Sequence, residues 1–348
     1  MKKFAWVILA VSVSLCLTAC GKREADTLTE SGYEQLKNLD YSGAERTFLE
    51  AVQNDENLTL DYRGLGIALM NLNRYEEAEE AFVNALANSG STPKDIDFDI
   101  NYYLGICYHK MARYEEAKER YDAILTLRPK EVDAFMQRGT ELLYLGKSDE
   151  AVADFDRALS LKKKDYSLYI DIYAAMKDSG FQAIGVEYLN KALTDNDRNM
   201  PSYYKGCINY NLGNYSTAKQ YLEQARTEGD KSSDLLLLLG RCYEELGDSA
   251  FAINLYKNYL ESNSSAAVYN QLGVALMEQG DYEGALEAIL NGIECDNNEC
   301  RQPLLFNRVL VYEYLGDFES ARDLSAQYIV DYPSDETMAR EINFLKTR

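Results

Sequence analysis

A single histidine, His109, stands among 348 residues. That scarcity argues at once against a Ser-His-Asp triad, a multi-histidine zinc site and a two-histidine iron site. No GxxxxGK, GxGxxG or GxSxG segment occurs, so phosphate-cradling loops and a nucleophile elbow are missing as well. No CxxC pair or Cys/His cluster occurs, which argues against zinc. Proline is scarce at five residues, and 21 glycines are few for a disordered Pro/Gly chain or a turn-rich all-β fold. Positive charge is also short: 36 Lys and Arg face 57 Asp and Glu, a formal net charge of −21. Such a surface repels phosphate backbones, so nucleic acid is a poor partner. Acid pairs such as Glu76-Glu77 and Glu115-Glu116 read as solvated first-turn helix residues, not as general acid–base pairs. No cofactor, no metal and no enzymatic activity is expected.

What is present is a globular composition, 46% hydrophobic and 27% charged, behind an unusual start. Lys2 and Lys3 precede an apolar run of 14 residues from Phe4 to Leu17. That run is short for a membrane span and fits the apolar core of a signal segment. It ends in Leu17-Thr18-Ala19-Cys20, which resembles the bacterial lipoprotein signal. The resemblance implies residues 1–19 as signal peptide, Cys20 as the acylated first residue of the mature chain, and 20–24 as lipidated cysteine and short tether. Loss of Lys2 and Lys3 with no acid would take the net charge from −21 to −23. The alternative is an ordinary secretory signal or short anchor, with Cys20 incidental. On either reading the body leaves the cytoplasm. The expected place is the cell membrane, lipid-anchored, facing the extracellular side or the periplasm.

One period runs through the remainder. The segments YSGAERTF, YEEAEEAF, YEEAKERY, SDEAVADF, YSTAKQYL, SAFAINLY and YEGALEAI align on a small residue. It recurs at Ala44, Ala78, Ala117, Ala151, Gly185, Ala218, Ala252, Ala285 and Ala321, in steps of 34, 39, 34, 34, 33, 34, 33 and 36. Twelve residues upstream lies a second small residue, at Gly32, Gly66, Gly105, Gly139, Gly206, Gly240 and Gly273, with Tyr173 and Val309 as exceptions. Midway falls a turn glycine, at Gly146, Gly180, Gly213, Gly247, Gly280 and Gly316. Apolar residues recur at helical spacing, as at Leu65, Ala68, Leu69 and Leu72. Each unit therefore reads as helix, turn, helix, with small residues allowing close approach and aromatics at Tyr41, Tyr75, Tyr114, Tyr215, Tyr282 and Phe318 wedging between. Pro129 and Pro333 fall where second helices should end.

These spacings resemble the tetratricopeptide repeat (TPR) family. The resemblance implies an all-α, right-handed superhelical solenoid of about nine units over residues 25–335: 25–58, 59–92, 98–131, 132–165, 166–198, 199–232, 233–265, 266–299 and 302–335. Residues 336–348 should form a helix capping the last apolar face. Unit five, with Gly185 and no aromatic at the head of its second helix, is where a local change in stacking is expected. The insert 93–97 should lengthen one loop; its alternating Asp95, Asp97 and Asp99 lack the Gly and Glu offsets of a calcium loop.

Family geometry turns the second, fifth, ninth and twelfth residues of each unit into a concave groove. The partner-binding candidates are Arg63, Ile67, Tyr102, Ile106, Met136, Ile170, Tyr203, Tyr210, Leu237, Arg241, Asn270 and Phe306. The family's clamp for a terminal carboxylate uses Lys and Asn at groove positions; Arg63, Ile67, Tyr102 and Ile106 do not match it. The groove is apolar and aromatic with a few charges, which suits an amphipathic or extended peptide. The expected function is therefore a membrane-anchored scaffold or adaptor for protein or peptide partners. The rivals are a structural part of an envelope assembly (wall synthesis, secretion or pilus) using the outer faces, and glycan or small-ligand capture by the tyrosines.

Of seven cysteines, Cys16 leaves with the signal and Cys20 takes lipid. Cys107 and Cys242 share one repeat position and read as core, whereas Cys207 lies nearer the groove as a free thiol. Cys295 and Cys300 flank Asp-Asn-Asn-Glu, and outside the cytoplasm the pair can close a small loop. Loop entropy would make that bond worth about 2 kcal/mol.

Overall fold

The computed structural model describes residues 27–348 except 56, 197, 198, 296–299 and 334. The signal segment, Cys20 and the tether lie outside the described residues. Among the described residues there are 19 α-helices and no strand. They pair in order: α1 (Leu28–Lys37) with α2 (Tyr41–Gln53), α3 (Leu58–Asn71) with α4 (Tyr75–Asn88), α5 (Asp95–Lys110) with α6 (Tyr114–Leu127), and α7 (Val132–Tyr144) with α8 (Ser148–Leu161). Then come α9 (Ser167–Asp178) with α10 (Gln182–Asn196), α11 (Ser202–Asn211) with α12 (Tyr215–Thr227), and α13 (Ser233–Glu245) with α14 (Ser249–Leu260). The series ends with α15 (Ala266–Gln279) and α16 (Tyr282–Ile293), α17 (Arg301–Tyr314) and α18 (Phe318–Asp331), and the unpaired α19 (Glu336–Leu345). The protein is a solenoid of nine helical hairpins with a terminal cap.

Each hairpin turns on one residue with positive φ, five positions before the recurrent small residue. Six of these are glycines, such as Gly146 (φ 75°) and Gly280 (φ 85°). In the first three hairpins the same left-handed turn is held by Leu39 (φ 60°), Asn73 (φ 59°) and Ala112 (φ 56°). The backbone bonds are alike: Lys147 N–H donates to Leu142 O, and Arg113 N–H donates to Tyr108 O, both at 2.8 Å. That bond closes the first helix and aims the second back along it.

Within a hairpin, the glycine of the first helix receives a bulky side chain placed 16 residues later on the second. A β-carbon on Gly66 would come within 2.6 Å of the Phe82 ring, and one on Gly240 within 2.1 Å of Tyr256. Phe82 and Tyr256 are both fully buried. The two exceptions in the sequence compensate for themselves. In the fifth hairpin Tyr173 takes the glycine position, and the opposing helix supplies Gly185, whose β-carbon would lie 3.2 Å from the Tyr173 Cα. The bulky position still holds Leu189, fully buried, so room for the ring comes from glycine standing where the other hairpins have alanine. In the ninth, Val309 takes the glycine position and the bulky position has shrunk to Ser325; both are buried, at 0% and 2% exposure.

Successive first helices touch one another, as α1 does α3 and α15 does α17, whereas successive second helices do not pack in this way. First helices therefore line the inside of the curve. Outside, Arg74 Nη1 reaches back to Glu45 and Arg113 Nη1 to Glu79, each at 2.6 Å, repeating one surface staple between adjacent hairpins. Burial pushes the Tyr332 hydroxyl up to about 12, opposed by Arg301 and reinforced by Asp331 and Tyr41. At the far end α19 closes the core: Met338 and Leu345 are fully buried. Its N-cap Asp335 accepts from the Thr337 and Met338 amides with one oxygen and from the Tyr328 hydroxyl (2.6 Å) with the other.

The insert departs from expectation. Residues 95–97 are helical and extend α5 at its start, so it adds helix as well as loop. Its alternating carboxylates are each engaged by the protein. Asp95 pairs with Arg128, Asp97 accepts from the Lys94 amide (2.7 Å), and Asp99 accepts from Arg63 (2.5 Å). Among the described residues no group of three or more His, Cys, Asp or Glu could hold a metal ion, and no helix is long and apolar enough to cross a membrane.

Candidate functional site

The inner face is built by first helices, whose apolar residues divide between two jobs. Those facing the paired helix disappear into the core, such as Leu104 and Ile172. Those rotated towards the curve stay half-buried. Ile67, Tyr102, Ile106, Ile170, Tyr203, Tyr210, Leu237, Asn270 and Phe306 are of this second kind, and Arg241 is exposed. Met136 is the correction: it is buried at 9% exposure, packed into the core of the fourth and fifth hairpins, and offers little to a ligand. Cys207 is also buried (6%), and burial pushes its thiol up to about 12. Cys107 and Cys242 are fully buried, as read from their shared position. The expected disulfide is not formed: Cys295 is a free thiol, its Sγ 3.2 Å from Ser264 Oγ and donating to Asn291 O at 3.5 Å, turned to its own helix and not to Cys300.

Arg63 organises the first part of the face. Its Nε donates to Asp99 at 2.5 Å and its Nη1 to the Tyr33 hydroxyl at 3.1 Å. The guanidinium lies 5.7 Å and 5.5 Å from the ring centroids of Tyr33 and Tyr103. One side chain thus ties α1, α3 and α5 together across the groove floor. Its guanidinium is already matched by an anion and two rings, so it serves the groove as framework more than as a free contact.

Further along, His109 on α5 sets Nδ1 3.0 Å from both carboxylate oxygens of Glu141 on α7. Glu141 is 1% exposed, and burial raises its pKa against the opposing pull of His109. The imidazole also meets Tyr144 edge-on at 5.0 Å, and Tyr144 stacks on Tyr114 at 4.7 Å. The one histidine is a structural pin between third and fourth hairpins. A second stacked pair, Tyr282 and Tyr314 at 5.1 Å, stands on the same edge between the eighth and ninth.

Carboxylates enter the face at second positions as well as at twelfth ones such as Glu244 and Glu313. The second positions of units three, four and seven hold Asp99, Asp133 and Asp234. Burial pushes the Asp171 carboxyl up to about 6, and neighbouring Asp165 and Asp133 add to it. Glu244 on α13 is raised by burial, although it accepts from Tyr256 (3.2 Å) and Gln271 (3.2 Å). On α17, burial and Glu341 of the cap push Glu313 up to about 7. Asn270 accepts from Asn307 at 2.8 Å, joining the eighth and ninth hairpins. The second positions were legible in the repeat register; what hid the role of Asp99 was that it acts on Arg63, the fifth residue of the unit before.

Tetratricopeptide repeat models match residues 29–91, 63–132, 205–261 and 245–299, and another matches 132–165. The chain belongs to the tetratricopeptide repeat family. TPR solenoids are scaffolds for protein–protein interaction. The chain is similar to TPR repeat-containing protein MJ1428 of Methanocaldococcus jannaschii, 26% identical over 66% of this chain and 41% of that protein. It is similar to BBSome complex member bbs-4 of Caenorhabditis elegans, 28% identical over 59% of this chain and 48% of the relative. The chain thus spans less than half the length of these curated relatives. Among solved structures, a TPR protein of Parabacteroides merdae matches 81% of this chain and 97% of its own at 18% identity, with a TM-score of 0.43.

Proposed function

We propose that this TPR chain is a membrane-anchored lipoprotein that holds protein or peptide partners in its concave groove, as a scaffold or adaptor. The observation that carries the groove reading is the inner row of half-buried aromatic and aliphatic side chains, Ile67, Tyr102, Ile106, Ile170, Tyr203 and Leu237, contributed by first helices α3, α5, α9, α11 and α13. Their backbones are fixed by glycine-to-knob packing on the opposite side, so little ordering is left for a partner to impose. Binding then loses less to entropy than it would on a mobile surface. Half-buried tyrosines add apolar area and a polar tip at low conformational cost.

The anchor rests on the Leu17-Thr18-Ala19-Cys20 box behind Lys2, Lys3 and the apolar run. Two or more acyl chains, each buried CH₂ contributing about 0.8 kcal/mol, hold a soluble solenoid stably on a bilayer. The solenoid then meets its partners in two dimensions, on the outer side of the membrane. Palmitate labelling of the full chain, lost in Cys20→Ser, is the expected result. An unlabelled mature chain retained in the aqueous fraction would remove the anchor and leave the groove untouched.

The groove is tested by a photo-crosslinking residue placed at Ile106 or Tyr203 in native membranes, followed by mass spectrometry. Adducts concentrated at these sites support the reading. The second reading, an envelope assembly held through the outer faces, draws on Leu49 and Val83, which recur at one register of α2 and α4 and are 43% and 48% exposed. Adducts confined to Leu49 and Val83 would favour that alternative and sink the groove.

A further inference from the structure

Positive charge is scarce in this chain, yet two neighbouring loops concentrate it. Every unit contributes two helices, so each first helix begins on one edge of the solenoid and each hairpin turns on the other. On the first edge, α6 runs into α7 through Arg128-Pro129-Lys130-Glu131, and α8 into α9 through Lys162-Lys163-Lys164-Asp165-Tyr166. The two loops lie 34 residues apart in one register and hold five cations against two acids. No other connection between hairpins holds more than one Lys or Arg. Part of that charge is spent locally: Arg128 pairs with Asp95, and Lys162 Nζ lies 3.8 Å from Asp165. Lys130, Lys163 and Lys164 are exposed and form no ion pair among the described residues. Beside them Leu127, the last residue of α6, is 58% exposed, an apolar side chain among the cations. An open recess of about 680 Å³ lies between the lysine run and Tyr204.

We propose that this edge of the third to fifth hairpins rests on an anionic bilayer, with Lys130, Lys163 and Lys164 at the lipid phosphates and Leu127 between the headgroups. The inference rests on the anchor reading above and names the face of the solenoid that the membrane meets. The tether arrives at Thr27, the N-cap of α1, which begins on the same edge. The seven residues from Cys20 to Asp26 span at most about 25 Å, so the acyl chains keep this edge within reach of the headgroups. Nearness matters, because a lysine is drawn to an anionic surface only within about a Debye length, about 8 Å at physiological salt. An ammonium on a flexible stem suits phosphates that carry no fixed geometry. The recess beside Tyr204 gives one headgroup room to enter. A chain of net charge −21 is otherwise repelled by such a surface, which makes two loops with unspent cations the place of contact.

The test adds the full chain to vesicles of phosphatidylcholine, alone or mixed with phosphatidylglycerol. A photo-crosslinking residue stands at Leu127 or, for comparison, at Asp149, which is exposed on the turn edge of the fourth hairpin. On anionic vesicles, lipid adducts at Leu127 are expected to exceed those at Asp149 by about fivefold or more, as for a few lysines held near the surface. The excess disappears without phosphatidylglycerol, at high salt, and in the variant Lys130→Gln with Lys163→Gln and Lys164→Gln. Equal adducts at the two sites, or an excess that survives loss of all three lysines, overturns the proposal. Adducts of Leu127 to protein in place of lipid in native membranes overturn it too, and mark the loops as a protein interface. Mass spectrometry of the same chain separates this edge from the anchor. A lysine-dependent excess in a chain without acyl groups upholds the edge and removes the anchor. An acylated chain with no excess keeps the anchor and removes the edge, and a chain with neither removes both. Helical circular dichroism and melting show that the triple variant, altered only at exposed loop residues, keeps its fold.

Discussion

Exchanging volume across a hairpin should be tolerated where adding or removing it on one side is not. The second hairpin is the place to measure this. Gly66→Val puts a branched side chain where even a β-carbon would lie 2.6 Å from the Phe82 ring. Normal carbon contacts are about 3.5–4.0 Å, so the helices must part by about an ångström. Overpacking of that kind costs about 1–3 kcal/mol, and more here because the obstacle is a fully buried ring. Phe82→Ser empties the opposing position and costs about 3–5 kcal/mol by analogy with aromatic-to-small core changes. Additive effects would therefore predict a double variant about 4–8 kcal/mol less stable. The ninth hairpin, however, already runs on this combination, with Val309 opposite Ser325 in the same register, both buried. Gly66→Val with Phe82→Ser should thus recover at least about 2 kcal/mol relative to the sum, the size of coupling seen between contacting core residues. Urea unfolding followed by helical circular dichroism measures it, with hydrogen exchange on α3 and α4 to locate the change, because repeats unfold by neighbourhood. A coupling below about 0.5 kcal/mol would refute the volume-exchange account.

Leu39→Gly and Ala112→Gly should each stabilise the chain slightly, since both sit at positive φ where six other hairpins use glycine. The left-handed strain of about 1–2 kcal/mol is relieved against about 0.4–1 kcal/mol of added unfolded-state entropy, leaving a gain of a few tenths to 1 kcal/mol; a lower melting temperature in both would contradict this. The contact of α17 with α19 should tighten as pH falls, because burial and Glu341 push Glu313 up to about 7, above its ordinary 4.5. A carboxyl raised on folding binds its proton more tightly when folded, so the contribution is complete below about 4.5 and is lost as pH rises through about 7. Hydrogen exchange at α19, slower at pH 5 than at pH 8 after correction for intrinsic rate, checks it, and Glu313→Gln should abolish the difference.

The fold was legible because a hairpin solenoid writes its packing contacts at fixed spacing. Gly66 and Phe82 must face each other for two helices to approach, and the same distance recurs from Gly32 to Phe48 and from Gly240 to Tyr256. Where the pattern broke, at Tyr173 and Val309, the sequence showed only a weak unit. What it did not show is how each break is answered from the other helix: Ser325 shrinks opposite Val309, whereas beside Tyr173 glycine replaces alanine at Gly185 and Leu189 stays buried at the bulky position. The groove was legible to a lesser degree for the same reason in reverse. A core position is fixed by its paired helix one turn of chain away, whereas a groove position is completed by the next unit. Met136 looked equivalent to Tyr102 by register, but the fourth and fifth hairpins close over it. Arg63 looked like a contact for a partner until Asp99, 36 residues on, claimed it. The useful unit for reading function on this surface is therefore the junction: fifth position of one repeat against second of the next. Read that way, Arg63 with Asp99 is a junction closed from within, which fixes α3 against α5 before any partner arrives.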